Sequence, residues 1–192
     1  MDYLELCYYS NRLIAKLELL DVRNQLNFTL INKAIYLAKK YHDGQFRKSG
    51  EPFYTHPLEV AYMVSDYNLK TDVIVASILH DIIEDTEVTI KMIVDGFSWR
   101  IAEMVDRLTR DRPDGSKLSV EEILNNAYEE KDREVLLIKQ FDRVHNMKTI
   151  VVKSLEKKKK MIEETMIHFL ILAAYLENYN VENQLDKLCK KA

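Results

Sequence analysis

Hydrophobic residues recur along most of the chain at intervals of three and four, the spacing of amphipathic α-helices. The clearest examples are Leu30, Ala34, Leu37 and Ala38, and then Ile101, Met104, Val105 and Leu108. Residues 73–79 are apolar on nearly all sides, which predicts a helix inside the core. The pattern therefore favours an all-α fold.

Residues that begin or end helices divide this pattern into elements. We expect Pro57 to be the first residue of a helix capped by His56, Thr71 and Thr89 to cap the next two helices, Ser119 and Glu122 to form a capping box, and Gly44 and Gly96 to end helices. Residues 111–115 are predicted to be a loop. Long helices are expected at about 132–151 and 155–178, followed by a shorter one to about 190.

Composition supports one helical domain. The 192 residues include only 4 glycines and 3 prolines, against roughly 23 at average usage, so hairpin turns have little material. The chain has no linker rich in Pro, Gly or Ser. We expect a single domain overall, with an N-terminal helical extension at residues 1–27 and a helical bundle at 28–192.

Charge and cysteine content narrow the function classes. The formal net charge of −3 excludes a global basic field for nucleic-acid binding. Cys7 and Cys189 have no metal-ligand spacing, which suits a reducing compartment. We find no signal peptide and no apolar run of membrane-spanning length. A cytoplasmic protein without nucleic-acid or membrane partners is expected, and its oligomeric state is left open.

Ionisable residues follow directly on the apolar segment 73–79. His80, Asp81, Glu84 and Asp85 are three or four residues apart, so on one continuous helix they would share a broad face. Burying these groups requires a compensating partner. A divalent cation is the simplest such partner.

A second polar stripe consists of Asp142, His145, Asn146 and Thr149, on a helix that is otherwise largely apolar. Taken alone, the stripe also fits the solvent face of an amphipathic helix. Its functional interpretation depends on the first cluster, because metal ligands in helical folds come from separate helices that face one core.

His56 is the third candidate ligand, although a lone histidine at a helix start is often structural. Together with His80, Asp81 and Asp142 it would supply two imidazoles and two carboxylates. That donor set suits an ion such as Mn²⁺ or Fe²⁺, with Zn²⁺ as an alternative. Glu84 and Asp85 would then either orient the histidines or act in acid/base chemistry.

Basic residues supply candidate anion sites. Arg47 and Lys48, beside a glycine, are either surface charges or phosphate ligands. The lysine run at 157–160 is interpreted as a solvated helix face. His42 and His168 are interpreted as packing or surface residues.

Three motifs in this order resemble the hydrolase domain of the RelA/SpoT family, a branch of the HD-domain metal-dependent phosphohydrolases. They are RKSGEPFYTHP from Arg47 to Pro57, HDIIEDT from His80 to Thr86, and DRVHNMKT from Asp142 to Thr149. The resemblance covers about residues 28–178. Phe53 stands where the family's motif usually has tyrosine.

The resemblance implies an all-α HD fold with one Mn²⁺ on His56, His80, Asp81 and Asp142. It also implies hydrolysis of guanosine tetraphosphate or pentaphosphate at the 3′-diphosphate, giving GDP or GTP and pyrophosphate. Glu84 and Asp85 would be the catalytic pair, and the residues that bind the nucleotide would be Arg47, Lys48, Ser49, Asn146 and Thr149.

Two other classes stay open: an HD phosphohydrolase of another nucleotide, such as NADPH or a nucleoside phosphate, and a non-catalytic alarmone-binding module. Nothing after residue 192 corresponds to a synthetase domain. The expectation is therefore a stand-alone small alarmone hydrolase.

Overall fold

The computed structural model describes residues 7–192, and in that range the secondary structure is helical apart from two isolated β-bridges. The α-helices are α1 Tyr8–Leu20, α2 Phe28–Tyr41, α3 Thr55–Val64, α4 Thr71–Leu79, α5 Ile82–Asp85, α6 Ile90–Gly96, α7 Trp99–Leu108, α8 Val120–Glu129, α9 Arg133–Lys148, α10 Leu155–Glu164, α11 Leu170–Tyr175 and α12 Tyr179–Lys191. A 3₁₀ turn at Ile150–Val152 follows α9, and a π-helical segment at Thr165–Phe169 joins α10 to α11. The predicted all-α fold is confirmed.

Helix α4 lies at the centre of the bundle. It packs against α2, α3 and α7, and it also contacts α9. Every residue from Val73 to Leu79 is buried, as the all-round apolar pattern predicts. The residues that follow α4 therefore leave the core at the point where α3 and α9 pass it.

Helix α9 is buried along most of its length even though it carries polar residues. Val135, Ile138 and Val144 are fully buried, and Lys139, Asp142 and Arg143 are nearly so. The polar stripe is therefore not the solvent face of an amphipathic helix. Because buried polar groups must be paired, these side chains require partners from other elements.

Two predicted caps are wrong. Helix α3 begins at Thr55, with Tyr54 at the N-cap, so His56 and Pro57 lie inside the first turn. The turn forms early because the amide and hydroxyl of Thr55 both donate to the carbonyl of Pro52. Pro57 is tolerated there, since first-turn amides have no partner within the helix.

Thr71 is the first residue of α4 rather than its cap, and its hydroxyl accepts a hydrogen bond from the Asn27 amide instead. The caps at Thr89 and Ser119 are as predicted, including the reciprocal capping box between Ser119 and Glu122. The predicted helix at 155–178 is divided by the π-helical segment and ends at Tyr175.

The helix expected to carry His80, Asp81, Glu84 and Asp85 on one face is broken. Helix α4 ends at Leu79, His80 is its C-cap, and Asp81 precedes the short helix α5. His80 Nδ1 lies 2.8 Å from the carbonyl oxygen of Ser77, the acceptor that the Asp81 amide would use in a continuous helix. Because of this break, the carboxylates of Glu84 and Asp85 on α5 point in a different direction from the His80 imidazole.

The predicted N-terminal helix is present as α1, while residues 1–6 lie outside the described residues. Helix α1 packs against α3, and Arg12 forms a 2.8 Å ion pair with Glu59. The domain boundary at residue 27 stays a prediction. Among the described residues, no helix combines the length and the apolar character that a membrane span requires.

Asp132 fixes the start of α9. Its carboxylate accepts a hydrogen bond from the Val135 amide, a bidentate pair at 2.9 Å from Arg100, and one at 3.1 Å from Arg107. Burial alone would raise the pKa of Asp132, but the hydrogen bonds from Arg100 and the Val135 amide lower it below its ordinary value. The residue is therefore a carboxylate that ties α7 to the helix carrying the polar stripe.

We expect Asp132→Ala to lower the free energy of unfolding by about 3 kcal/mol, because it removes a helix cap and the buried carboxylate that Arg100 and Arg107 share. Since the folded pKa is lowered, this contribution is present above about pH 4 and is lost as the pH falls further. Urea denaturation at pH 7 measures it. Asp95→Ala, which removes an exposed i,i+4 partner of Lys91, is the control and should change stability by less than about 0.5 kcal/mol. Equal effects of the two changes would contradict the assignment.

Candidate metal centre and active site

Four side chains from α3, the α4–α5 junction and α9 meet below the surface. His56 Nε2 lies 3.2 Å from Asp142 Oδ1 and 3.4 Å from Asp81 Oδ2. His80 Nε2 lies 3.2 Å from Asp81 Oδ1 and 3.9 Å from Asp142 Oδ1. Two ligands at about 2.1 Å from one ion are about 3.0–3.4 Å apart at angles of 90–109°. Three of the four separations fall in this range. His56, His80 and Asp142 each offer a ligand atom close enough to the other two to hold one divalent ion, while Asp81 faces the two histidines through different oxygens.

His80 shows that these donors fit a metal. Its Nδ1 lies 2.8 Å from the Ser77 carbonyl oxygen, which can only accept, so Nδ1 carries the proton. Its Nε2 is buried and has no hydrogen-bond partner. A bare imidazole nitrogen that points at two carboxylates is the arrangement of a metal-binding histidine.

His56 is held by a second histidine. Its Nδ1 lies 2.7 Å from Nδ1 of His145, so one ring donates and the other accepts. Burial is the largest influence on His145 and lowers its pKa to about 3, with further lowering by His56 and Arg47. A neutral His145 can accept the proton of His56 Nδ1, which leaves His56 Nε2 free to face the cluster.

Asp142 is kept as a carboxylate. Burial would raise its pKa, but Lys139, at 3.0 Å from Oδ2, and the two histidines hold that pKa well below its ordinary value. Its other oxygen, Oδ1, faces His56 and also accepts a hydrogen bond from Asn146 Nδ2. Asp142 therefore belongs both to the donor set and to a network along α9.

The loop between α2 and α3 brings Arg47 into this network. A β-bridge between Phe46 and Pro52 closes the loop, and Gly50 adopts a φ of 97° that favours glycine. Arg47 Nη2 donates to Asn146 Oδ1 at 2.9 Å and to Thr149 Oγ1 at 3.3 Å. The chain of contacts from Arg47 through Asn146 to Asp142 joins the basic loop to the candidate metal ligands.

Glu84 and Asp85 are placed differently from each other. Glu84 faces the cavity, where its carboxylate accepts from the Arg110 amide at 3.2 Å and pairs with Lys117 at 3.3 Å. Asp85 is not among the residues that line the cavity. Desolvation, followed by the nearby Asp81 and Glu84, raises the pKa of Asp85 to about 6. Of the two, Glu84 is in the better position to reach a ligand.

These groups surround one cavity of about 510 Å³, a volume within the range of small-ligand sites. It is lined by Phe46, Arg47, Lys48, Ser49, Phe53, His56, Asp81, Glu84, Arg110, Val120, Lys139, Asp142, Arg143, Asn146, Thr149, Val152, Lys153, Lys157, Lys160, Met161 and Glu164. The residues predicted to bind nucleotide and those predicted to bind metal therefore share one space, with His80 buried directly behind it.

Sequence reasoning assigned no individual role to several residues that line the cavity or contact its lining. Lys139 precedes Asp142 by one helical turn and His145 belongs to the same motif, so helical spacing could have indicated both. Arg110 and Lys117 flank a loop closed by an isolated bridge between Asp111 and Lys117. No spacing rule relates that loop to Glu84, so only the folded chain shows their contact.

Comparison with known proteins agrees with this geometry. The HD-domain family matches residues 34–177. The chain is 35% identical over 173 residues to a probable guanosine-3′,5′-bis(diphosphate) 3′-pyrophosphohydrolase of Mycoplasma genitalium, covering 84% of this chain and 24% of that protein. It is 36% identical over 161 residues to the Aquifex aeolicus guanosine-3′,5′-bis(diphosphate) 3′-pyrophosphohydrolase, covering 81% and 23%. The chain thus spans about a quarter of the length of these relatives.

Among solved structures, a metazoan ortholog of SpoT, described as hydrolysing ppGpp, superposes with a TM-score of 0.62 at 20% identity, covering 84% of this chain and 94% of that one. This likeness shows the fold. With the family match across most of the chain and the buried His/His/Asp group, the predicted fold is confirmed: the chain belongs to the HD-domain family and is similar to its guanosine-3′,5′-bis(diphosphate) 3′-pyrophosphohydrolases.

Proposed function

We propose that this protein hydrolyses the 3′-diphosphate of guanosine 3′,5′-bis(diphosphate), or of the corresponding pentaphosphate, giving GDP or GTP and pyrophosphate. One observation carries the proposal: a metal-type donor set, a cavity-facing carboxylate and a basic loop converge on one cavity. The similarity to pyrophosphohydrolases supports the choice of substrate.

The proposed ligands of one divalent ion are His56, His80, Asp81 and Asp142. Two imidazoles and two carboxylates suit Mn²⁺, with Fe²⁺ or Zn²⁺ as alternatives. When bound, the ion would supply Lewis-acid stabilisation of the phosphoryl charge and would lower the pKa of a water molecule. His145 and the Ser77 carbonyl orient the two histidines, and Lys139 holds Asp142 ionised.

The remaining residues bind substrate and move protons. Arg47 and Lys48 would hold phosphate oxygens, with Arg47 oriented by Asn146 and Thr149. Ser49 would add a hydroxyl at the cavity wall. Attack of water on the phosphorus next to the ribose breaks the bond to the 3′ oxygen, which then takes a proton. Glu84 is proposed to exchange protons at this step, with Asp85 assisting from behind it.

The function is tested by incubating purified protein with Mn²⁺ and a panel of guanosine and adenosine polyphosphates and NADPH. We expect pyrophosphate release from the guanosine 3′-diphosphates. Asp81→Ala should lose both the bound metal and turnover, because it removes a proposed metal ligand whose carboxylate faces both histidines. Elemental analysis measures the metal content. Asp95→Ala, an exposed aspartate away from the cavity, should retain both. Equimolar metal in Asp81→Ala would refute the ligand assignment, and preference for NADPH would refute the proposed substrate.

Glu84→Gln should keep metal content and KM while lowering kcat about 10²–10⁴-fold, the usual contribution of acid/base assistance. Glutamine loses the ion pair with Lys117 but retains an oxygen that accepts from the Arg110 amide, so this hydrogen bond to the loop is preserved. Glu87→Gln, on an exposed residue nearby, is the control. Wild-type turnover by Glu84→Gln, or loss of its metal, would remove Glu84 from the chemical step.

His145→Phe should weaken Mn²⁺ binding about 10–100-fold, the usual cost of losing the partner that orients a ligating histidine. Titration calorimetry without substrate measures this. His145→Gln retains an acceptor and should recover part of the affinity. His168→Phe, a histidine outside the cavity, is the control. Unchanged affinity in His145→Phe would mean that the contact between the rings does not orient His56.

A further inference from the structure

Several lysines line one side of the cavity, on α10 and in the turn before it. Lys157, Lys160, Met161 and Glu164 line the cavity from α10, and Lys153 lies four residues before Lys157. Within α10, intervals of three and four place Lys157, Lys160 and Glu164 on one side of the helix. Lys153 lines the cavity from the end of the preceding 3₁₀ turn. Lys158 and Lys159 lie outside the lining. The lysine run interpreted from sequence as a solvated face is therefore divided between the cavity and the exterior.

Two of the cations that line the cavity are neutralised by carboxylates. Lys139 is paired with Asp142, and Arg143 with Glu164. In contrast, Lys48, Lys153, Lys157 and Lys160 form no ion pair with any carboxylate of the described residues. Arg47 and Arg110 also line the cavity without an ion pair among the described residues. The cavity is therefore rich in unpaired positive charge, and three of these cations are the lysines on and just before α10.

This arrangement disfavours the charged form of Lys153. It is half-buried, and burial, followed by repulsion from Arg47, Lys157 and Lys48, lowers its pKa. The Asp142 carboxylate opposes this lowering, but no carboxylate of the described residues forms an ion pair with Lys153. A polyanion in the cavity would remove the repulsion, because its oxygens would lie among these cations.

We propose that Lys153, Lys157 and Lys160 form a second phosphate subsite, which binds the 5′-phosphates of the nucleotide while its 3′-diphosphate lies at the metal ligands. This inference rests on the proposed function. Asp142 and Thr149 are about 10 Å apart along α9 at 1.5 Å per residue, and Lys153 follows Thr149 by one 3₁₀ turn. That spacing suits a nucleoside with a phosphate group at each end.

Direct binding of guanosine 5′-diphosphate tests the subsite without any turnover. Titration calorimetry in EDTA compares the wild type with the triple variant Lys153→Gln, Lys157→Gln and Lys160→Gln. An exposed ion pair contributes at most about 1 kcal/mol, so three of them give a roughly 10–100-fold weaker Kd. Added salt should reduce the difference.

A matched control removes the same number of charges outside the cavity through Lys158→Gln, Lys159→Gln and Lys187→Gln. Its Kd should stay within about twofold of wild type at 0.15 M salt, where distant charges are screened. Far-UV circular dichroism checks that both variants fold. No measurable binding of guanosine 5′-diphosphate to the wild type, or equal weakening in both triple variants, would overturn the subsite.

Kinetics separate this proposal from the proposed function. If wild type releases pyrophosphate from guanosine tetraphosphate, the cavity variant should raise KM with little change in kcat, as expected for lost ground-state contacts. If the lysines govern binding of guanosine 5′-diphosphate but no 3′-diphosphate is cleaved, the function fails and the subsite stands. If the cavity variant cleaves guanosine tetraphosphate with an unchanged KM, the proposed function stands and the subsite fails.

Discussion

The structure depends on burying ionisable groups in the middle of an apolar helical bundle. Placing Asp142 and the two histidines between α3, α4 and α9 removes them from water, and each must then find a partner inside the protein. The Ser77 carbonyl, His145 and Lys139 satisfy one side of each group. The remaining nitrogen and oxygen atoms point toward one another, which is stable only around a shared cation or proton. Packing and chemistry thus impose the same requirement on this part of the chain.

Most of the fold was predictable because helices leave a strong local signal. The apolar face of α7, the buried run of α4 and the capping box at Ser119 were all correctly predicted from spacing. The errors fall where a side chain takes over a backbone partner. At His80 the imidazole occupies the acceptor that would continue α4, and at Thr55 a hydroxyl and an amide close the turn early. Propensity rules do not include such contacts.

The candidate site was predictable only in part, for a related reason. Motifs identify residues that share one helix, as with Asp142 and Asn146, or that match a known pattern, as with His80 and Asp81. They do not show that a loop after α7 reaches Glu84, or that α10 turns half of its lysines toward the cavity. Those relations arise between elements that are distant in sequence. Assigning individual roles to the residues therefore required the folded arrangement.

The loop contact at Glu84 has a consequence for how the two halves of the site respond to solution conditions. Lys117, which pairs with both Glu84 and Asp111, has a side chain that is 50% exposed, whereas the side chains of His56 and His80 are 1–2% exposed. Mobile ions screen exposed pairs over about 8–10 Å at ordinary ionic strength and affect buried pairs much less. Rising salt would therefore loosen the loop around Glu84 while the histidine cluster keeps its geometry. The site thus combines a half that is insulated from the solvent with a half whose ion pairs weaken as the salt concentration rises.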